Sequence, residues 1–153
     1  MRSNFWLTAL YRLIVTAWVG MTWTIGLVAA PLAFAVLEPR SQAGTFASHA
    51  FYWQSITAMV CGALVLLLHR LVERRLGLSR PLFYVVLAIV ALAALQQLLL
   101  SPILANLRVE MMSAVSETAR EALASRFGML HGVSSVMYLT QCVLGAVLVV
   151  RGR

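Results

Sequence analysis

A chain of 153 residues is long enough for one domain, and 61% hydrophobic residues with a mean hydropathy of +0.88 exclude an ordinary water-soluble fold, so its solvent is a lipid bilayer. Its 12 basic residues are all Arg and its 5 acidic residues all Glu, which excludes Lys Schiff-base chemistry and Asp-based phosphoryl transfer. The net charge of +7 does not mark a nucleic-acid binder, because no basic helix or aromatic-and-basic strip is left once the apolar runs are removed.

In chain order, four stretches reach the roughly 20 apolar residues that a helix needs to cross the hydrocarbon: 13–37, 50–68, 82–104 and 127–150. They predict an all-α polytopic membrane protein, a four-transmembrane-helix bundle forming a single domain over 1–153. The first stretch holds Ala33-Phe34-Ala35, which has the small-x-small form of a signal-peptide cleavage site. An apolar run that begins at Leu13 exceeds the ~7 to 15 residues of a cleavable core, and a second span follows as its hairpin partner, so it reads as an uncleaved anchor.

Three loops separate the runs: Glu38-Pro39-Arg40, then Glu73-Arg74-Arg75 with Arg80-Pro81, then Asn106 to Arg126. Within the third, Leu104, Leu107, Met111, Val115, Leu123 and Phe127 recur at near-helical spacing. Ser116 followed by Glu117 has the form of an N-cap with an acidic first turn. Helices three and four are therefore expected to extend outside the membrane as a helical hairpin that breaks near Ser113 to Ser116.

Orientation follows from the arginines. Arg2, Arg12, Arg70, Arg74, Arg75, Arg80, Arg151 and Arg153 fall on the side of the two termini. Arg40, Arg108, Arg120 and Arg126 fall on the other, offset by Glu38, Glu110, Glu117 and Glu121. The richer side is expected to be cytoplasmic, with both termini inside. His69 and the arginines around it read as interfacial anchors to anionic headgroups.

Small residues at four-residue spacing mark where helices approach closely: Gly20-x-x-x-Thr24 and Gly26-x-x-x-Ala30 in the first span, Ala58-x-x-x-Gly62 in the second and Gly128-x-x-x-Gly132 in the fourth. Cys61 and Cys142 lie inside apolar runs without a CxxC motif and read as packing residues. A weak internal repeat relates the two hairpins: Ala30-Pro31-Leu32 matches Ser101-Pro102-Ile103, and Phe46, His49 and Cys61 are answered by Phe127, His131 and Cys142.

This topology puts His49 and His131 at the outer ends of two parallel-running helices. Arg108 lies just beyond Pro102, and Gln96 and Gln97 roughly 8 Å deeper. One reading is an outward-facing pocket in which His49 and His131 hold a metal or haem, with Met111, Met112 or Met129 as soft ligands. The other is that these side chains reach headgroups and water while the glutamines bond between helices.

The run Gly26 to Phe34, then Ala43-Gly44, then Pro102 with Leu107-Arg108, then Phe127, Leu130-His131 and Ser134-Ser135, resembles a bacterial four-helix membrane family of unknown function related to the transmembrane protein 205 group. The resemblance covers nearly the whole chain and implies the fold and a bacterial inner membrane, without an activity. A fainter similarity to four-helix proteins of the copper-resistance and haem-biosynthesis groups rests on histidines near helix ends.

Three functions remain open. A binding or transport-related protein would use His49, His131 and Arg108, with Gln96 and Gln97 beneath, for a metal, haem or small anion. A structural or assembly protein would pair with itself or another membrane protein through Gly20, Gly26, Gly62, Gly128 and Gly132 and the protruding hairpin. An intramembrane oxidoreductase would need a bound cofactor, since no set of side chains in this chain carries electrons unaided. No catalytic motif is present to name.

Overall fold

The computed structural model describes residues 2–76 and 80–152, with side chains described for 5–68 and 80–152. His69, Arg70, Arg74 and Arg75, and the terminal Arg2 and Arg153, lie outside the described side chains. The elements are α1 (Arg2–Trp23), a π-helical turn (Thr24–Ala29), α2 (Ala30–Val36), α3 (Arg40–Leu76), α4 (Arg80–Leu95), a second π-helical turn (Gln96–Leu100), α5 (Ser101–Ser113) and α6 (Glu117–Arg151). Together they make four continuous rods long and apolar enough to cross a membrane: Phe5–Val36, Arg40–Leu68, Arg80–Ser113 and Glu117–Arg151.

The rods are longer than the apolar runs suggest. Helix α3 begins at Arg40, directly after the Glu38-Pro39 turn, and continues through Glu73-Arg74-Arg75 to Leu76, so the expected second loop is largely helix. Ala43, Ala47, Gln54, Ala58 and Val65 form its buried stripe, and three alanines let its neighbours approach. At the far end, α5 stops at Ser113 and Ser116 caps α6, its hydroxyl accepting from the Ala119 N–H at 3.2 Å. The hairpin break thus falls where the Ser-Glu signal places it, and both helices run well past their apolar stretches.

Each rod packs against the two beside it in chain order, with the first also against the fourth, giving an up-and-down square bundle. Towards the end that carries the termini, Tyr11, Val15, Trp18, Val19, Ala58, Val65, Leu82, Val86, Ile89, Ala93 and Leu148 form a continuous apolar core. Outward-facing Leu98 and Val136, among many others, stay exposed, as expected where lipid is the surrounding solvent.

The two π-helical turns were not legible in the apolar pattern, and their cause is proline. A proline in a helix lacks the N–H for its bond and drives its ring towards the carbonyl four residues back, here Leu27 for Pro31 and Leu98 for Pro102. Both of those residues lie inside the wider turns, which close with five-residue bonds from Ala30 N–H to the Ile25 carbonyl and from Ser101 N–H to the Gln96 carbonyl. The two hairpins share this break at matched positions, a backbone correspondence beyond the Ala-Pro-Leu and Ser-Pro-Ile sequences.

The first break also makes a slot. A Cβ placed on Gly26 would fall on the ring of Tyr138, which crosses the bundle from α6, meets Phe51 of α3 edge-on at 5.1 Å and donates its hydroxyl proton to the Thr22 carbonyl. Gly62 is packed in the same way, against Val90 and Trp18. Gly26→Ala is therefore expected to destabilise the bundle by about 1 to 3 kcal/mol through overpacking. A thermal melt in mild detergent measures this, and Tyr138→Leu in the same chain should recover part of the loss.

Candidate functional site

The end of the bundle that carries the α5–α6 hairpin is organised by Arg108. This exposed guanidinium on α5 donates to the Ser48 hydroxyl of α3 at 2.8 Å and lies over the Phe127 ring of α6 at 5.3 Å from its centroid. Phe127 in turn stacks on His131 one turn along, at 5.8 Å with the rings 7° from parallel. One side chain so ties together three rods at the mouth of the bundle. Among the described residues no carboxylate pairs with it, which leaves most of its N–H donors uncommitted.

The two histidines are used differently. His131 belongs to the Arg108 cluster through Phe127, whereas His49, next to Ser48, is exposed and its Nδ1 lies 2.9 Å from the Thr45 carbonyl of its own helix. The contacts of each histidine's ring are made within its own helix. Met112 and Met129 stand exposed, and among the described residues no group of three or more His, Cys, Asp or Glu is placed to share a metal ion.

Below this mouth lies a layer of polar side chains inside the apolar length of the rods. The Gln96 amide, in the second π turn, donates from Nε2 to the Ser134 hydroxyl at 2.8 Å, while its Oε1 accepts from Gln141 Nε2 at 3.0 Å. A separate set joins the first two rods to the fourth: Thr22 Oγ1 donates to the Trp18 carbonyl at 3.0 Å and accepts from Gln54 Nε2 at 3.3 Å, and Tyr138 donates to the Thr22 carbonyl. Trp23 Nε1 adds a bond to the Cys142 carbonyl at 3.1 Å. Thr22, Gln54, Tyr138 and Gln141 are all buried.

The expected residues are thus split. Arg108 and His131 come together, His49 stands apart, and Gln96 belongs to the deeper layer while half-buried Gln97 has no part in it. Of the glycines, Gly26 and Gly62 pack inside the bundle, but among the described residues a Cβ on Gly20, Gly128 or Gly132 would meet nothing within 4 Å. Thr22, Gln54, Tyr138 and Gln141 are not marked in the sequence, and Ser134 is marked only within the resemblance motif, although each is a polar residue within or beside an apolar run and so a candidate by the cost of placing it there.

Residues 13–113, well over half of the chain, match the family described as a domain of unknown function, DUF4149. The chain belongs to this family. The DUF4149 region takes in the first three rods up to the end of α5, including Thr22, Gln54, Gln96 and Arg108, and stops before the fourth rod with Phe127, His131, Tyr138 and Gln141. It agrees with a family without assigned activity and does not extend to the transmembrane protein 205 group. No curated protein and no solved structure shows significant similarity to the chain.

The two neighbouring glutamines give a contrast that tests this layer. Gln96→Leu leaves Gln141 and Ser134 without their shared partner and is expected to cost ~0.6 to 2 kcal/mol, the range for interhelical bonds in membranes. Gln97→Leu should change stability much less. Reversible unfolding of both variants in the same detergent measures the difference.

Proposed function

We propose that this integral membrane protein is a non-catalytic binder of a small anionic group, phosphate or carboxylate, at the hairpin end of its bundle, with Arg108 as the principal contact. The observation that carries this reading is the state of that guanidinium. It is held from one side by Ser48 and underneath by Phe127, yet among the described residues no carboxylate neutralises it. A fixed guanidinium with free donors at a membrane boundary suits the planar, two-point recognition of an oxyanion. His131 lies at the edge of the same cluster and supplies a further ring nitrogen. The donor set favours an anion over a metal or haem, for which His49 and His131 would both have to leave their present contacts.

The arginine distribution supports an orientation with both termini cytoplasmic, and in the bacterial inner membrane that the resemblance implies the binding end is periplasmic. The likeness of Gly26 to Phe34 and the later motifs to the transmembrane protein 205 group is consistent with this placement and adds no ligand.

Binding of inorganic phosphate and of dihexanoyl phosphatidylglycerol to the detergent-solubilised protein, followed by native mass spectrometry, tests the reading. Arg108→Gln should weaken both by at least about tenfold, the order expected for lost charge-assisted bonds, and Arg108→Lys should retain part of the binding. Equal binding by parent and Arg108→Gln would refute it.

A second reading, assembly with another copy or another membrane protein, is favoured by one feature. Gly128 and Gly132 are exposed on α6 with open space where a side chain would stand, the surface on which a second helix approaches most closely. In a chain with Cys61 and Cys142 replaced by Ala, Gly128→Cys and Gly132→Cys should then cross-link into dimers in native membranes, and the same substitution at packed Gly62 should not.

A further inference from the structure

The polar layer contains one unresolved demand. Gln141 is 1% exposed, its Nε2 is committed to Gln96, and its Oε1 is buried without a hydrogen-bond partner. Gln141 also lines a small cavity, together with Trp18, Val19, Thr22, Ile89 and Gly145, of about 10 Å³. That volume is room for about one water and for nothing larger.

The demand does not depend on which way the amides are turned. If both glutamines are reversed, Ser134 donates to Gln96 and Gln96 donates to Gln141, and the atom of Gln141 left over becomes Nε2 in place of Oε1. One polar atom of the Gln141 amide is surplus in either arrangement. A buried amide atom without a partner is costlier than the ordering of a single water.

We propose that this cavity is a structural hydration site in which one water molecule bridges Gln141 and Thr22. As drawn, the water donates one proton to Gln141 Oε1 and the other to the second lone pair of Thr22 Oγ1, whose first accepts from Gln54. A bound cation does not suit the place, since one uncommitted carbonyl oxygen and one hydroxyl fall short of the six or more oxygens that hard cations take. The bridge would join Ser134–Gln96–Gln141 to Gln54–Thr22–Tyr138 and make one hydrogen-bonded network that touches all four rods.

The site can be filled without touching either polar partner. A Cβ on Gly145 meets Val19 Cγ1 at 3.2 Å and Cγ2 at 3.3 Å, so Gly145→Ala projects a methyl against the opposite wall at the cost of a small shift in Val19. The protein is prepared with ¹⁵N-glutamine in nanodiscs of deuterated lipid, and water-selective magnetisation transfer to the side-chain amides is recorded, with exposed Gln42 as the internal control. The parent should show transfer to Gln141, and Gly145→Ala should lose it while keeping that of Gln42. Val19→Ile, which adds one carbon from the other wall, replaces Gly145→Ala should that variant fail to fold. Absence of transfer to Gln141 in the parent, or its survival in a folded cavity-filled variant, would overturn the proposal.

Discussion

In hydrocarbon no solvent is present to complete an unmade hydrogen bond, so every polar group on the membrane-crossing part of the chain must find its partner within the protein. The architecture can be read as a set of responses to that constraint. Pro31 and Pro102 each remove a backbone donor within a long rod, and each is met by a π turn that widens the helix and closes it with longer bonds. The breaks then have consequences for packing. The first carries Gly26, which admits the Tyr138 ring, and the second carries Gln96, which bonds to the fourth rod.

The result is a bundle stratified along its length. Near the termini, Trp18, Val65, Leu148 and their neighbours make an apolar core whose cohesion comes from close packing, because lipid tails offer no hydrophobic drive between helices. Above it sits a layer of amides and hydroxyls at the level of the two π turns, and above that the Arg108 cluster closes the hairpin end. Between the rods the side chains become more polar toward the hairpin end, although the surface along the rods is mostly apolar.

The Arg108 cluster and the contacts that hold the fold are interleaved in the same helices. Tyr138 and Gln141 lie one turn apart on α6, one wedged into the first rod and the other bonded to the third. Arg108 sits about two turns beyond the second π turn, so its position is tied to the geometry of the break beneath it. A change in the second π turn would be transmitted to Arg108 through a continuous helical segment, without any loop in between.

The sequence by itself determined the number of rods, their order, the hairpin break at Ser113 to Ser116 and the place of Arg108, His131 and the glutamine pair toward the hairpin end. These are properties of local composition: an apolar run of sufficient length has no alternative to a helix in lipid, and Ser116 before Glu117 caps a helix wherever it stands. The tertiary structure alone decided which polar groups meet. Gln96 and Gln97 are indistinguishable in sequence, but neighbours in a helix point about 100° apart, and only the packing of the fourth rod against the third selects Gln96 for Ser134 and Gln141. The same rotation brings Phe127 under Arg108 with His131 stacked on it, keeps His49 on its own helix, and turns Gly128 and Gly132 outward while Gly26 and Gly62 face in. Periodicity reveals that a helix has faces; which face each neighbour takes is set by contacts between segments far apart in the chain.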